Sequence, residues 1–170
     1  VISPEIQKLL DEQAIREVVH RYCRGVDRRQ FEVVRSCYHP DATDDHGAYK
    51  GGVDGFIAHA REGLVRYERT MHFMGNLHIE VLDAGRAHSE AYTIAFHRLG
   101  PRGDTPARDH VVGFRYVDDF EKREGEWRIA RRVCVFEWTR TDPVAPGWDY
   151  REGFVRGRTD LQDYVFTRRV

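Results

Sequence analysis

Apolar residues near the start of the chain recur at helical steps. Ile15, Val18, Val19, Tyr22, Cys23 and Val26 share one face over about three turns. Ser3 before Pro4 reads as an N-cap with proline at the first helical position, and Asp11 offers a second start signal. Gly25 and the polar run Asp27-Arg28-Arg29-Gln30 end the helix. A short second helix with Phe31, Val34, Arg35 and Tyr38 is predicted to stop at His39-Pro40. Residues 41–50 read as a strand or strand pair closing at Lys50-Gly51-Gly52. A third helix, from Val53 to Arg66, carries Phe56, Ile57, Ala60 and Leu64 on one face.

From residue 70 the period falls to two. Thr70, His72, Met74, Asn76, His78 and Glu80 lie on one face, with Met71, Phe73, Leu77, Ile79 and Val81 mostly on the other. Residues 86–99 and 109–121 are predicted as further strands, joined by a turn-rich segment from Gly100 to Pro106. Glu124-Gly125-Glu126 reads as a hairpin turn, and Trp127 to Trp138 as the last long strand. Three helices followed by a meander of long strands predict an α+β domain, with helices packed on one face of a curved sheet. The expected organisation is one domain over residues 1–140 and an extension over 141–170. That extension, rich in Arg, Asp, Gly and aromatics, must pack on the domain or on a neighbouring subunit to be ordered.

Composition narrows the partners. A chain of 170 residues fits one domain with a core of its own. Twenty-seven basic against 28 acidic residues argue against nucleic acid or a membrane surface as partner. All but Lys8, Lys50 and Lys122 of the basic residues are arginine, and they are scattered among acids. Cys23, Cys37 and Cys134 form no C-x-x-C pair, lie on apolar faces and fit a reducing compartment. Val1 to Lys8 show no secretory pattern, and no apolar run approaches roughly 18 residues. A cytoplasmic protein is expected.

Chemistry is sought among polar residues on faces that should be apolar. Tyr22 sits on the packing face of the first helix. Asp27 follows five residues later, either as a solvated turn residue or as a carboxylate turned back toward the sheet. His72, in Thr-Met-His-Phe-Met-Gly-Asn, is either a satisfied half-buried histidine or a working one. Strict alternation along Trp127–Phe136 places Arg128, Ala130, Arg132 and Cys134 on one face and Ile129, Arg131 and Val133 on the other. One of the adjacent arginines must then enter the concave side, where an aspartate would be needed to offset its desolvation. His39, Asp41, Asp44, Asp45 and His46 lack helical metal-ligand spacing and read as a solvated loop. The chain contains no G-x-S-x-G, P-loop or G-x-G-x-x-G.

Four segments carry a resemblance. Arg24-Gly-Val-Asp27-Arg-Arg-Gln30, Thr70-Met-His72-Phe-Met-Gly-Asn76, Gly125-Glu-Trp127-Arg-Ile-Ala-Arg-Arg132 and Phe154-Val-Arg-Gly157-Arg-Thr-Asp160-Leu-Gln-Asp163 resemble, in order, the SnoaL-like branch of the NTF2-like superfamily. The similarity runs from about Leu10 to Phe166. It implies a cone-shaped α+β barrel in which a curved mixed or antiparallel sheet and three helices enclose one deep, mostly apolar pocket. Within the branch the chain looks most similar to γ-hexachlorocyclohexane dehydrochlorinase and bile acid 7α-dehydratase, and more distantly to scytalone dehydratase. Those enzymes use no metal and no organic cofactor. Carried over by motif, the His–Asp dyad falls on His72 and Asp27 and its accompanying arginine on Arg132. Tyr22 matches a position where the bile acid enzyme also has tyrosine and the dehydrochlorinase has lysine.

The resemblance thus implies a cofactor-independent lyase, most plainly a dehydratase, in which His72 acts as base and Asp27 orients it. Tyr22 would assist the leaving hydroxyl or polarise a carbonyl, and Arg132 would fix Asp27 or stabilise developing negative charge. Face assignment places Val26, Tyr38, His46, Phe56, Met71, Met74, Tyr92, Phe96, Phe114 and Phe136 around the substrate. That lining suits a bulky steroid-like, terpenoid or polycyclic molecule. Polyketide cyclase, isomerase and a non-catalytic binding or assembly module are the alternatives. The resemblance also implies a homo-oligomer, a trimer before a dimer.

Overall fold

A computed structural model describes residues 2–144 and 152–168. The first helix, α1, runs unbroken from Pro4 to Asp27, with the Ser3 hydroxyl accepting from the Ile6 N–H at 3.3 Å. Asp11 is therefore no second start. It is buried and pins α1 to the sheet, accepting from Lys122 Nζ at 2.8 Å and Trp127 Nε1 at 2.7 Å. All six residues of the predicted apolar stripe are buried. At its end the helix lies so close to α2 (Phe31–Ser36) that a Cβ on Gly25 would sit 3.0 Å from Val34 Cγ2.

The second helix is shorter than predicted, because Tyr38 to Pro40 belong to β1 (Tyr38–Asp45). Pro40 falls where the parallel pairing with the last strand shifts register, so no ladder donor is required of it. Strand β2 (Lys50–Gly52) leads into α3 (Val53–Leu64), whose Val53 and Phe56 are buried. The long strands β3 (Arg69–Val81), β4 (Arg86–Leu99), β5 (Arg108–Arg123) and β6 (Glu126–Pro143) form an antiparallel meander. The sheet order is β2-β1-β6-β5-β4-β3, with β1 and β6 parallel, so the sheet is mixed, curved and unclosed. A short α4 (Tyr164–Thr167), capped by Asp163, lies in the C-terminal segment. Among the described residues no helix is long and apolar enough to cross a membrane.

Two irregularities overturn strict alternation. Strand β3 shifts register between Met74 and Leu77. Thr70, His72 and Met74 share the inner phase before the shift, and Leu77, Ile79 and Val81 pack on the core after it. Met71 and Phe73 are left on the outer face. In β6 the pairing skips Ala130, so Trp127 and Ile129 point inward together with Arg132 and Cys134 instead of opposite them. An inserted residue changes the phase of every side chain beyond it.

Candidate active site

The end of α1 meets the start of β3 at one edge of the sheet, and the turn after β1 faces the same cavity as β3. Asp27, the last residue of α1, turns its carboxylate onto β3. One oxygen accepts from His72 Nδ1 at 2.8 Å and Thr70 Oγ1 at 2.9 Å, and the other accepts from the His72 backbone N–H at 2.9 Å. Burial works against the Asp27 charge, but the His72 ring and backbone and the Thr70 hydroxyl outweigh it and hold the carboxyl below its ordinary range. A carboxylate only accepts, so the neutral imidazole carries its hydrogen on Nδ1 and leaves Nε2 with the lone pair.

His72 forms part of the wall of a cavity of about 270 Å³. Val26, His46, Phe56, Phe114 and Phe136 line it, as does Tyr22, together with His59, Tyr67, His97 and Tyr116. Five of the ten proposed substrate contacts lie elsewhere. Tyr38 is fully buried behind the wall, and Met71, Tyr92 and Phe96 belong to the outer phase of β3 and β4. Met74 lines a separate groove on the far side of the Asp27–His72 pair. The cause is an inverted pattern on β4. Ala87, Ser89, Ala91, Thr93 and Ala95 occupy the crowded concave face, so the large Tyr92 and Ile94 are displaced outward.

Arg132 is completely buried but does not touch Asp27. Its Nε and Nη2 donate to the two oxygens of Asp118 at 2.7 and 2.6 Å. Its guanidinium lies between the rings of Tyr22 and Tyr116, at 4.1 and 4.0 Å from their centroids. Burial opposes this charge, and Asp118 more than offsets it, so Arg132 stays ionised. Neither member of the pair lines the cavity, whereas Tyr22 and Tyr116, which flank the guanidinium, do. Burial raises both phenols well above the usual range and keeps them protonated donors.

The reading of residues 39–46 as a solvated loop does not hold. His39 is buried with Nε2 at 2.9 Å from the Glu121 carbonyl oxygen. Asp44 is buried, accepts from the Tyr38 hydroxyl at 2.7 Å, and pairs with His46 Nδ1. Among the described residues no three His, Cys, Asp or Glu side chains converge in a metal-binding arrangement. Burial pushes the Cys23 thiol up to about 12 and raises Cys134, on the cavity wall, well above the usual thiol range, so neither is a ready thiolate nucleophile.

His97 was not anticipated. It continues the inward odd-numbered phase of β4, and that phase was the signal available. Its ring centroid is 5.7 Å from that of His72. Burial lowers its pKa to about 4, and the neighbouring His72 adds to the effect. An unfolded histidine takes up its proton near pH 6.5, a folded His97 only near 4. Its contribution to stability is therefore complete above about pH 6.5 and lost as the pH falls to about 4, by up to roughly 3 kcal/mol. Urea midpoints measured between pH 7 and 4 should fall more steeply for the wild type than for His97→Phe. The loss arising from Asp27 comes at lower pH and is common to both proteins.

A mixed, curved and unclosed sheet folded over N-terminal helices is the NTF2-like cone fold. The SnoaL-like domain pattern matches residues 7–133, and the chain belongs to that family. It is 30% identical over 134 residues to the uncharacterized proteins Rv2910c of Mycobacterium tuberculosis and Mb2934c of Mycobacterium bovis, covering 75% of this chain and 86% of each relative. Among solved structures, a hexachlorocyclohexane dehydrochlorinase (LinA) of type 2 superposes with a TM-score of 0.73 at 20% identity, over 88% of this chain and 99% of that one. A Novosphingobium aromaticivorans protein provisionally assigned as a scytalone dehydratase gives 0.69 at 20% identity, over 92% and 96%. At that identity the likeness concerns the fold.

Proposed function

We propose that this chain is a cofactor-independent lyase, a dehydratase acting on a hydrophobic alcohol β to a carbonyl. The observation that carries the reading is the His72 ring on the wall of a mostly apolar cavity, its Nδ1 held by Asp27 and its Nε2 left for substrate. His72 removes the proton α to the carbonyl, and Asp27 keeps the tautomer and stabilises the imidazolium that forms. Tyr22, protonated and on the cavity wall, donates to the substrate carbonyl, where negative charge develops. A volume of about 270 Å³ favours the compact ring systems among steroid-like, terpenoid and polycyclic candidates.

The reading extends to the rest of the chain. The C-terminal extension packs on α1, supported by Arg28 Nε at 3.5 Å from Asp163 and by Arg24 over the Phe166 ring at 5.0 Å. Self-association is supported by the apolar outer face, where Met71, Phe73, Tyr92, Ile94 and Trp138 are exposed, and the preference for a trimer rests on the resemblance alone. The three free, buried cysteines agree with a cytoplasmic location.

The test is mass spectrometry of ring-bearing β-hydroxy carbonyl compounds incubated with wild type and His72→Ala. Loss of one water with the wild type alone is the expected result. Conversion without change of mass would replace dehydration by isomerisation or addition-type cyclisation. Binding with no conversion would leave a ligand-binding module.

A further inference from the structure

The cavity holds a second histidine–aspartate couple. His46 is the first residue after β1, and its backbone N–H donates to the Tyr49 carbonyl at 2.9 Å. Gly47, at φ +73°, then turns the chain in the left-handed region that favours glycine. The turn lays the His46 ring on Phe56 of α3, stacked with centroids 4.4 Å apart, and 6.0 Å from the Tyr116 ring. Its Nδ1 is taken by Asp44, whose side chain is fully buried and whose other oxygen accepts from Tyr38. The imidazole is 21% exposed and lines the same cavity as His72, to which it can offer only Nε2. With Nδ1 engaged by Asp44, a protonated His46 ring can donate into the cavity only through Nε2.

We propose that His46, oriented by Asp44, is the general acid that protonates the departing hydroxyl, working against His72 as base. This inference rests on the dehydratase reading above. The Cα–H bond breaks, its proton passes to His72 Nε2 and its electron pair becomes the new C=C bond. The C–O bond breaks with its pair on oxygen, which takes the Nε2 proton of His46 and leaves as water. His72 then releases a proton to bulk water and His46 takes one up, which restores both groups. Tyr22 is thereby freed for the carbonyl. Asp44 and the Tyr38 hydroxyl behind it are positioning groups.

The experiment separates the two protons. Wild type, His46→Gln, Asp44→Asn and His72→Gln are given three probes: 1-tetralone in D2O, which reports only α-proton exchange, 3-hydroxy-1-tetralone, and 3-acetoxy-1-tetralone, whose leaving group needs no proton. The proposal expects His46→Gln to eliminate the hydroxy compound about 10²–10⁴-fold more slowly, while acetoxy elimination and α-exchange stay within a few fold of wild type. Asp44→Asn should show the same selectivity, which a merely structural defect would not produce. His72→Gln should lose all three reactions. Equal losses on both leaving groups in His46→Gln, or none on either, would overturn the role of His46 and leave His72 as base. Absence of exchange and elimination in the wild type would overturn the dehydratase reading, and the proposal with it.

Discussion

Replacing His72 with glutamine is expected to lower turnover of a β-hydroxy carbonyl substrate by about 10²–10⁴-fold with the fold intact. Glutamine fills much of the imidazole's space and retains a donor toward Asp27, but it has no basic lone pair for a carbon-bound proton. Asp27→Asn should approach the same loss by another route. The amide can donate to Nδ1 and invert the tautomer, which puts a hydrogen on the nitrogen that must act as base. The carboxylate accepts three hydrogen bonds, so this variant will also lose stability. Rates are to be measured on folded protein, with circular dichroism and urea midpoints beside them. A folded His72→Gln with a wild-type rate would remove the base from the mechanism.

The largest stability effect is expected at Arg132. Arg132→Met leaves Asp118 as a buried, unpaired carboxylate, and breaking a buried pair from one side costs about 3–5 kcal/mol. Asp118→Leu strands the guanidinium in the same way. The double variant, Arg132→Met with Asp118→Leu, should recover much of the loss, because both charges then leave the interior together. Chemical denaturation of the three variants measures this directly. If each single variant were as stable as the wild type, the ion pair would have no structural weight. The double variant should still turn over slowly, since Tyr22 and Tyr116 lose the cation they stack upon.

Much of the fold was legible because local physics agreed with the final packing. The α1 stripe from Ile15 to Val26 has one apolar face and is buried on that face. The Val53 helix and the extents of the four long strands follow equally plain periods, apart from the phase breaks in β3 and β6. Asp27 and His72 were legible as types in motifs, and an aspartate beside a concave-facing arginine was demanded by desolvation alone. Which aspartate answered was not. Asp118 sits opposite Arg132 in the central β5–β6 register, whereas Asp27 lies against β3 at the edge of the sheet.

The remaining readings failed where one inserted residue or one crowded face decided the matter. Beyond the β3 register shift Leu77, Ile79 and Val81 turn to the core, while Met71 and Phe73 before it face outward, and skipping Ala130 puts Ile129 on the side of Arg132. The small inward residues of β4 fill the concave face and leave the large, apolar Tyr92 outside the cavity. Asp44 and His46 looked like solvated loop because they stand among Asp41, Asp45 and Lys50. Only the turn at Gly47 folds His46 back over Phe56.

The sequence by itself determined the order of the elements, the apolar faces of the helices, the class of the domain and the types of residue fit for acid–base work. These depend on periods of a few residues and on turn chemistry, which neighbours along the chain supply. The tertiary structure alone decided which carboxylate each cation meets, which phase of each strand enters the cavity, and that two histidine–aspartate couples share it. Those depend on register between segments far apart in sequence, where a single bulge changes every face beyond it.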